Sequence, residues 1–262
     1  MADSDSYRQK KAAFARMLTV YGRKPVLEAL TDPDLSCHAL HLADSNRSGG
    51  IVSQIEALAG QRQVAVLHHS RAALSRISRN GRQDQGVALD VVCPAFSGLD
   101  DFLDELGHSP QRRLLAMDGV TNPQNLGMII RSATAAGIDG ILWSARGNAA
   151  LGPLVIKASA GTVFKAPLVR CEELPGALGR CRDRGMEICA LSADAGESVF
   201  EHRPEGHCVY ILGNETTGIS TAVTALASTR LSIPMHNGVE SLNVAVTASL
   251  IAYAAALQRQ NH

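Results

Sequence analysis

Three segments of the chain have the same predicted order of elements: an apolar strand, a break at a glycine or a polar turn, and then a helix. Residues 209–212 form one such strand and stop at Gly213, and residues 231–235 form a second, followed by a turn and a long apolar helix. Upstream, LLAMDGVTNPQNLGMIIRSATAAG is a strand, an Asp-Gly break and a helix that we expect Asn125 to cap. Units of this kind build parallel sheets, whose carboxyl-end loops hold ligands. The sequence therefore predicts an α/β fold with its site at these loops.

The amino-terminal part has shorter elements that alternate in the same way. Strand-like CHALHLA, QVAVLHH and GVALDVVC enclose helix-like GIVSQIEALAG and RAALSRISR, a pattern that predicts a small α/β/α sandwich. A change of composition between Pro94 and Pro110 marks a domain boundary, and this segment is expected to contain a short acidic helix around residues 99–106. We therefore predict a polar tail over residues 1–17, a first domain over 18–95, a linker over 96–110 and a second domain over 111–262.

Composition excludes several classes of protein. The formal net charge is zero and the calculated pI is about 7.1, so a strongly basic nucleic-acid binder is not indicated. The six cysteines form no CxxC pair and have no histidine at zinc-binding spacing, which predicts buried thiols in a reducing compartment, the cytoplasm. The amino terminus is polar and does not resemble a secretory signal. The longest uncharged apolar run, residues 244–257, is shorter than the roughly 20 residues of a membrane span, so no membrane partner is expected.

Charge is nevertheless distributed unevenly. Residues 1–95 contain 12 Lys and Arg against 9 Asp and Glu, whereas residues 96–262 contain 13 against 16. Four arginines lie along a predicted helix and the loop after it: Arg71, Arg76, Arg79 and Arg82. Two interpretations stay open for these arginines: a solvated helix face, or an edge that contacts phosphate groups.

The candidate site residues also have purely structural interpretations. Asn125 would then only cap its helix, and Glu215 would be a first-turn carboxylate favoured by the helix dipole. Arg131 falls about 140° round the helix from that helix's apolar stripe, so it points toward solvent, a ligand or another subunit. The chain has no GxGxxG after a strand, no Walker A sequence and no GxSxG. Spacing alone indicates an α/β ligand-binding enzyme and nothing narrower.

A family resemblance narrows this prediction. The segments NPQNLGMIIRSA, LGNETTGIS and IPMHNGVESLNVAV resemble the three motifs of the SpoU (TrmH-type) branch of SPOUT RNA methyltransferases, in the family's order and with its internal spacing. The match covers residues 114–257. In the first domain, VYGRKPVLEAL and DQGVAL resemble the substrate-binding domain of two-domain members, which is similar to small ribosomal proteins that bind folded RNA.

The resemblance implies a SPOUT-type parallel sheet with a C-terminal trefoil knot, a homodimer, and S-adenosylmethionine-dependent methylation of a ribose 2′-hydroxyl in RNA without a metal. By the same resemblance, the catalytic residues are Asn125, Arg131, Glu215 and Asn243. The cofactor-binding residues it implies are Leu191, Leu212, Gly213, Asn214, Ile233, Met235, Ser241 and Leu242. RNA contacts are expected from Arg23, Lys24, Arg71 and Arg79.

Several alternatives stay open. Arg131 is either the proton acceptor for the 2′-hydroxyl or a phosphate clamp that orients the ribose, and the clamp is physically easier because a guanidinium is effectively always protonated. The amino-terminal domain favours 23S-type ribosomal RNA as the target over transfer RNA. An antibiotic-resistance methyltransferase and a non-catalytic RNA-binding or ribosome-assembly factor are the other candidates, and ESLNVA disfavours a base methyltransferase of another SPOUT branch.

Overall fold

The computed structural model describes residues 14–47, 49–108 and 111–260. Most of the tail predicted over residues 1–17 lies outside these described residues. Contacts between residues divide the chain into two compact units, and the main boundary falls between Pro94 and Ala95. The first unit also includes Leu151–Pro153.

The first unit is built on a four-stranded sheet in the order β1-β4-β2-β3. Its strands are β1 (Met17–Tyr21), β2 (Ser36–Ala43), β3 (Ala65–His69) and β4 (Val87–Val92), and its helices are α1 (Arg23–Thr31), α2 (Gly50–Gln61) and α3 (Arg71–Ser78). Strand β4 is antiparallel to both neighbours, and β2 is parallel to β3. The consecutive residues Val87, Ala88 and Leu89 are all buried. Because successive strand residues face opposite sides, both faces of this sheet are covered, as the sandwich prediction requires.

A hydrogen-bonded polar network lies inside the first unit. His41 Nδ1 is 2.9 Å from His69 Nε2, and His41 Nε2 is 3.1 Å from Asp90 Oδ2. The Thr19 hydroxyl donates to Asp90 Oδ1 at 2.6 Å. Burial raises the pKa of Asp90, but the hydrogen bonds from His41 and Thr19 outweigh burial and hold that pKa below its usual value. The carboxylate is therefore charged at neutral pH and ties β1, β2 and β4 together.

The second unit contains an eight-stranded sheet in the order β10-β12-β9-β11-β6-β7-β8-β5, and every pairing in it is parallel. The strands are β5 (Ser97–Gly98), β6 (Arg113–Met117), β7 (Gly140–Ser144), β8 (Leu168–Cys171), β9 (Glu187–Leu191), β10 (Glu197–Ser198), β11 (Cys208–Leu212) and β12 (Thr229–Ser232). All residues of β6, β7 and β11 are buried, as expected for central strands covered on both faces. The predicted α/β fold with a parallel sheet is confirmed, and the trefoil knot stays a prediction.

Six α-helices accompany the sheet within the described residues. They are α4 (Leu99–Glu105), α5 (Pro123–Ala135), α6 (Pro153–Ala158), α7 (Leu174–Asp183), α8 (Thr221–Thr224) and α9 (Val244–Gln260), with 3-10 turns at Leu106–His108 and Thr162–Lys165. Helix α9 packs along α5. In the part of the chain that the structure describes, no helix has both the length and the apolar character needed to cross a membrane.

Residues 96–108, the described part of the segment predicted as a linker over residues 96–110, belong instead to the second unit. Strand β5 extends the sheet beside β8, and Leu99, Phe102 and Leu103 of α4 join the same apolar core as Leu114. The linker prediction was wrong because it rested on acidic composition and flanking prolines. An amphipathic helix with acidic residues on one side and three large apolar residues on the other is stabilised by burying the apolar side.

Candidate functional site

The site begins at the amino end of α5, where the sequence predicts a cap at Asn125. The structure places the cap three residues earlier: Asn122 Oδ1 accepts from the backbone N–H groups of Gln124 at 2.8 Å and Asn125 at 3.4 Å. Pro123 follows as the first helical residue, a position where its missing N–H costs nothing. The capping prediction for Asn125 was therefore wrong, and its side chain is available for another partner.

That partner is Glu215, in the loop after β11. Asn125 Nδ2 donates to Glu215 Oε1 at 2.6 Å, and Asn243 Nδ2 donates to Asn125 Oδ1 at 3.2 Å. Asn243 Oδ1 in turn accepts from the backbone N–H of Ala245 in the first turn of α9, at 2.8 Å. Only 7% of Asn125 is exposed, so the amide that joins the other two is itself fixed by burial. Three of the four predicted catalytic residues thus form one hydrogen-bonded chain, which joins α5 to the loop after β11 and to the segment before α9.

The loop after β11 is closed by its own backbone and by Asn214. The backbone groups of Asn214 and Gly218 hydrogen-bond to each other, at 2.9 and 3.0 Å. Asn214 Oδ1 accepts from Thr216 N at 2.8 Å, and its Nδ2 donates to the carbonyl of Gly119 at 2.7 Å. Asp118 Oδ2 accepts from Ser220 N at 2.7 Å. Asn214 therefore fixes the loop. Asp118 was not among the predicted site residues, although the Asp-Gly break after a strand was a signal for it.

Gly213 is required by a close approach within this loop. A Cβ atom on Gly213 would lie 2.5 Å from both the carbonyl carbon of Gly218 and the backbone nitrogen of Ile219. Both of these atoms belong to the backbone and cannot move without shifting the loop. Only glycine permits this closure at the carboxyl end of β11.

The predicted cofactor-binding residues lie at one edge of the sheet. Leu191 ends β9, Leu212 ends β11, and Ile233 and Met235 follow β12. Ser241 and Leu242 precede α9 and are exposed. Because β12, β9 and β11 are adjacent and parallel, their carboxyl ends bring these loops to the same edge. The edge offers apolar side chains and backbone polar groups.

Arg131 does not join the Glu215–Asn125–Asn243 chain. It lies six residues beyond Asn125 on α5, about 120° round the helix at about 100° per residue. Its side chain is exposed, on the same face as Met128, and the described residues provide no hydrogen-bond or ion-pair partner for its guanidinium. The expectation that it points away from the helix's apolar stripe agrees with this placement.

The four residues predicted to contact RNA differ in whether their side chains already have partners within the first unit. Arg71 Nη2 lies 3.4 Å from Oδ1 of the fully buried Asp84, and Arg23 Nε donates to the carbonyl of Gln85 at 3.2 Å. Lys24 and Arg79 are exposed, and their side chains have no such partner among the described residues. Arg71 and Arg23 therefore hold the loop before β4, whereas Lys24 and Arg79 are available to a ligand.

Family models match both units of the chain. The model of the SpoU rRNA Methylase family matches residues 112–253. A second model, described as RNA 2'-O ribose methyltransferase substrate binding, matches residues 19–95. Together the two models account for both compact units.

Individual proteins resemble nearly the whole chain. A protein of Mycolicibacterium vanbaalenii, named an uncharacterized tRNA/rRNA methyltransferase, is 33% identical over 243 residues, which cover 92% of this chain and 77% of the relative. The crystal structure of an RNA 2'-O ribose methyltransferase is 25% identical, with a TM-score of 0.57 over 94% of this chain and 90% of that one. The SpoU methyltransferase AviRb from Streptomyces viridochromogenes, in complex with AdoMet, shares the fold at 23% identity, with a TM-score of 0.63 and coverage of 95% and 92%.

Proposed function

The chain belongs to the SpoU rRNA methylase family, and on that premise we propose that it methylates a ribose 2′-hydroxyl of RNA with S-adenosylmethionine as donor. The observation that carries the proposal is the hydrogen-bonded chain Glu215–Asn125–Asn243, which joins α5 to the loop after β11 and to the segment before α9. The match of residues 19–95 to a substrate-binding model supports RNA as the substrate. AviRb, which shares the fold, binds AdoMet, and this supports the choice of donor.

The carboxyl-edge loops suit this cofactor chemically. Leu191, Ile233, Met235 and Leu242 supply apolar surface for an adenine ring and a thioether chain. Backbone groups of the closed loop after β11 supply fixed donors and acceptors, because Asn214 and Gly213 hold that loop in one conformation. When bound, S-adenosylmethionine supplies a methyl group that is already activated for transfer. The chain's own residues then have to align the ribose for in-line attack.

In our proposal, three polar side chains orient the ribose 2′-hydroxyl, and Arg131 binds an RNA phosphate. Asn125 donates through its Nδ2 to Glu215 Oε1 and accepts through its Oδ1 from Asn243, so the three side chains form a preorganised polar wall beside the ribose. Arg131 has no internal partner and keeps a permanent charge, which suits a bidentate clamp on an RNA phosphate. The clamp fixes the ribose, and the wall orients its 2′-hydroxyl.

A binding and transfer experiment tests the function directly. Calorimetry with S-adenosylmethionine should show one site per chain, and total RNA incubated with labelled donor should gain 2′-O-methyl groups. Failure to bind either the donor or its demethylated product would remove the enzymatic proposal. RNA binding without methyl transfer would instead favour the non-catalytic RNA-binding factor.

We propose ribosomal RNA as the target in preference to transfer RNA. The support is the separate first unit and its match to a substrate-binding model. Mapping ribose methylation in both RNA classes, with and without the gene, should reveal one missing methyl group in ribosomal RNA. A site lost only from transfer RNA would reverse this assignment, and a gain of drug resistance with the gene would indicate a resistance methyltransferase.

Exposed apolar side chains on α5 and α9 support a homodimer. Met128, Val246, Tyr253 and Leu257, here called the α5–α9 face, are all at least 42% exposed. Val246, Tyr253 and Leu257 are spaced by seven and four residues and share one side of α9. Apolar surface of this kind is typical of a subunit interface. Arg131 lies one turn from Met128 on the exposed side of α5, which would place it beside a second subunit.

Leu257→Glu should shift the protein from dimer to monomer, because a carboxylate would be buried without a partner at the interface. Sedimentation velocity at micromolar concentration measures the change. Leu154→Glu is the control, since Leu154 and Leu257 are both 60% exposed but Leu154 lies on α6. A monomeric and fully active parent protein would contradict the proposal.

The double variant Lys24→Ala/Arg79→Ala should bind RNA more weakly and with a shallower salt dependence. Each lost phosphate contact should reduce the slope of log affinity against log salt by about 1. Filter binding or fluorescence anisotropy at several salt concentrations measures this slope. Arg180→Ala/Arg182→Ala removes the same charge from the exposed face of α7 and serves as the control. Equal slopes for the two double variants would assign RNA docking to another surface.

A further inference from the structure

Two cysteines, a histidine and a glutamate meet at the amino-end side of the second unit's sheet. Cys189 Sγ lies 3.4 Å from Cys208 Sγ and 3.6 Å from His202 Nε2, and His202 Nε2 lies 3.4 Å from Glu187 Oε2. All four potential ligand atoms lie within 4.8 Å of one another. The donors are thus two sulfurs, one imidazole nitrogen and one carboxylate oxygen.

The register of two parallel strands creates this cluster. Cys208 of β11 lies opposite Glu187 of β9, and Tyr210 lies opposite Cys189. Because side chains alternate between faces with a period of two, these four residues project from the same face. His202 comes from the segment between β10 and β11, and its ring packs edge-on against Tyr210 with centroids 6.2 Å apart. Two strands and one connecting segment therefore converge on one point.

The separations match the edges of a zinc coordination tetrahedron. Zinc binds sulfur at about 2.3 Å and nitrogen or oxygen at about 2.0–2.2 Å, which places neighbouring ligands about 3.4–3.8 Å apart. Three of the separations in the cluster, 3.4, 3.6 and 3.4 Å, agree with these edges. Thiolate and imidazole ligands favour zinc over magnesium or calcium.

The surrounding residues orient the ligands as they do in metal sites. His202 Nδ1 lies 2.9 Å from Glu197 Oε1, a contact that places the ring proton on Nδ1 and leaves Nε2 free to bind a metal. The hydroxyl of Thr229 donates to Glu187 Oε1 at 2.5 Å, which leaves Oε2 directed toward His202. His202 and Glu187 each have two atoms that could bind a metal, and in both residues a hydrogen bond at one of these atoms leaves the other directed at the site.

Burial and access also suit a bound ion. Cys189 and Cys208 are fully buried and His202 is 5% exposed, whereas Glu187 is only half-buried. Glu187, Glu197, His202 and Thr229 line a surface cavity of about 470 Å³. An ion can enter through this cavity and pass Glu187 to reach the two sulfurs.

We propose that Glu187, Cys189, His202 and Cys208 bind one structural zinc ion. Four protein ligands leave no open position for a substrate or water, which is the arrangement of a structural site. The ion would fix β9, β11 and the segment between β10 and β11. Cys208 and Leu212 are the two ends of β11, so the zinc site lies about 13 Å from the carboxyl-edge loops at about 3.3 Å per residue. The site is separate from the proposed methyl-transfer chemistry.

The two sulfurs also have a covalent alternative, a Cys189–Cys208 disulfide. The experiment therefore uses the full chain after reduction, with metal stripped by a chelator that is then removed. Titration with Zn²⁺ should saturate at one ion per chain and raise the melting temperature. Co²⁺ should bind in its place and give the visible absorption of a tetrahedral site together with a sulfur-to-cobalt charge-transfer band.

Matched variants distinguish the loss of a zinc ligand from a general loss of protein stability. Cys208→Ser leaves Cys189 as the one sulfur ligand, so it should lower the intensity of the charge-transfer band and weaken Zn²⁺ binding more than about a hundredfold, whereas Cys181→Ser, at another buried thiol on α7, should leave both unchanged. Glu197→Ala keeps all four ligands and should weaken Zn²⁺ binding about 10- to 100-fold. Absence of stoichiometric Zn²⁺ binding by the reduced parent protein, or an octahedral Co²⁺ spectrum, would overturn the proposal. A Cys189–Cys208 disulfide in a protein that takes up no zinc after reduction would overturn it as well.

Discussion

Replacement of Arg131 by alanine should lower the turnover of methyl transfer by about a hundredfold or more, the range expected for a positioned acid–base or electrostatic group. Cofactor affinity should change little, since the proposed cofactor residues lie in the loops after β9, β11 and β12. Stability should change by no more than about 0.5 kcal/mol, because the exposed guanidinium has no partner among the described residues. Methyl incorporation into cognate RNA, measured beside cofactor affinity, gives both readouts.

Two further variants define what Arg131 contributes. Arg131→Lys should restore little activity, because an ammonium group cannot reproduce the bidentate contact of a guanidinium with phosphate. Arg182→Ala, at an exposed arginine of α7, should retain full activity and serves as the control. Near-normal methylation by Arg131→Ala would refute the proposed role while leaving the fold unaffected.

Gly213→Ala should weaken cofactor binding about tenfold to a hundredfold. The added methyl group would lie 2.5 Å from backbone atoms of Gly218 and Ile219, so the loop after β11 has to open. Overpacking of this kind costs about 1–3 kcal/mol, and about 1.4 kcal/mol corresponds to a factor of ten in affinity. Calorimetry with S-adenosylmethionine measures the loss, and circular dichroism establishes that the variant is folded.

Gly179→Ala is the control for this substitution. Gly179 lies in α7, where an added Cβ would meet no heavy atom within 4 Å. This variant should keep the parent's cofactor affinity and gain up to about 1 kcal/mol of stability from improved helix propensity. Unchanged cofactor affinity in Gly213→Ala would show that the loop after β11 does not bind the cofactor.

The sequence by itself determined the class of fold and the edge of the sheet at which the candidate site residues lie. The uninterrupted apolar runs that became β6 and β11 predict strands covered on both faces, and such strands belong to parallel sheets. The breaks after them place Gly213 and Glu215 in loops. Helical periodicity also placed Arg131 away from its helix's apolar stripe, where the structure has it exposed. These predictions succeeded because they depend on the period of side chains along a single element.

The sequence was less informative where a segment could adopt two different local structures. Asn122 and Asn125 are both suitable helix caps, and the position of Pro123 decides between them in the structure. The acidic segment around Leu99 has the composition of a linker, yet its apolar side is buried. In both cases the local pattern allows two conformations, and the packing of the whole unit selects one.

Contacts between distant segments were decided only by the tertiary structure. Asn125 and Glu215 are 90 positions apart, and Asn125 and Asn243 are 118 apart, yet they form one hydrogen-bonded chain. Cys189, His202 and Cys208 do not have a spacing in the sequence that is typical of metal ligands. They come together only through the tertiary structure, in which β9 lies in register beside β11. The order of strands and their register depend on how all layers pack at once, and no periodicity along one segment contains that information.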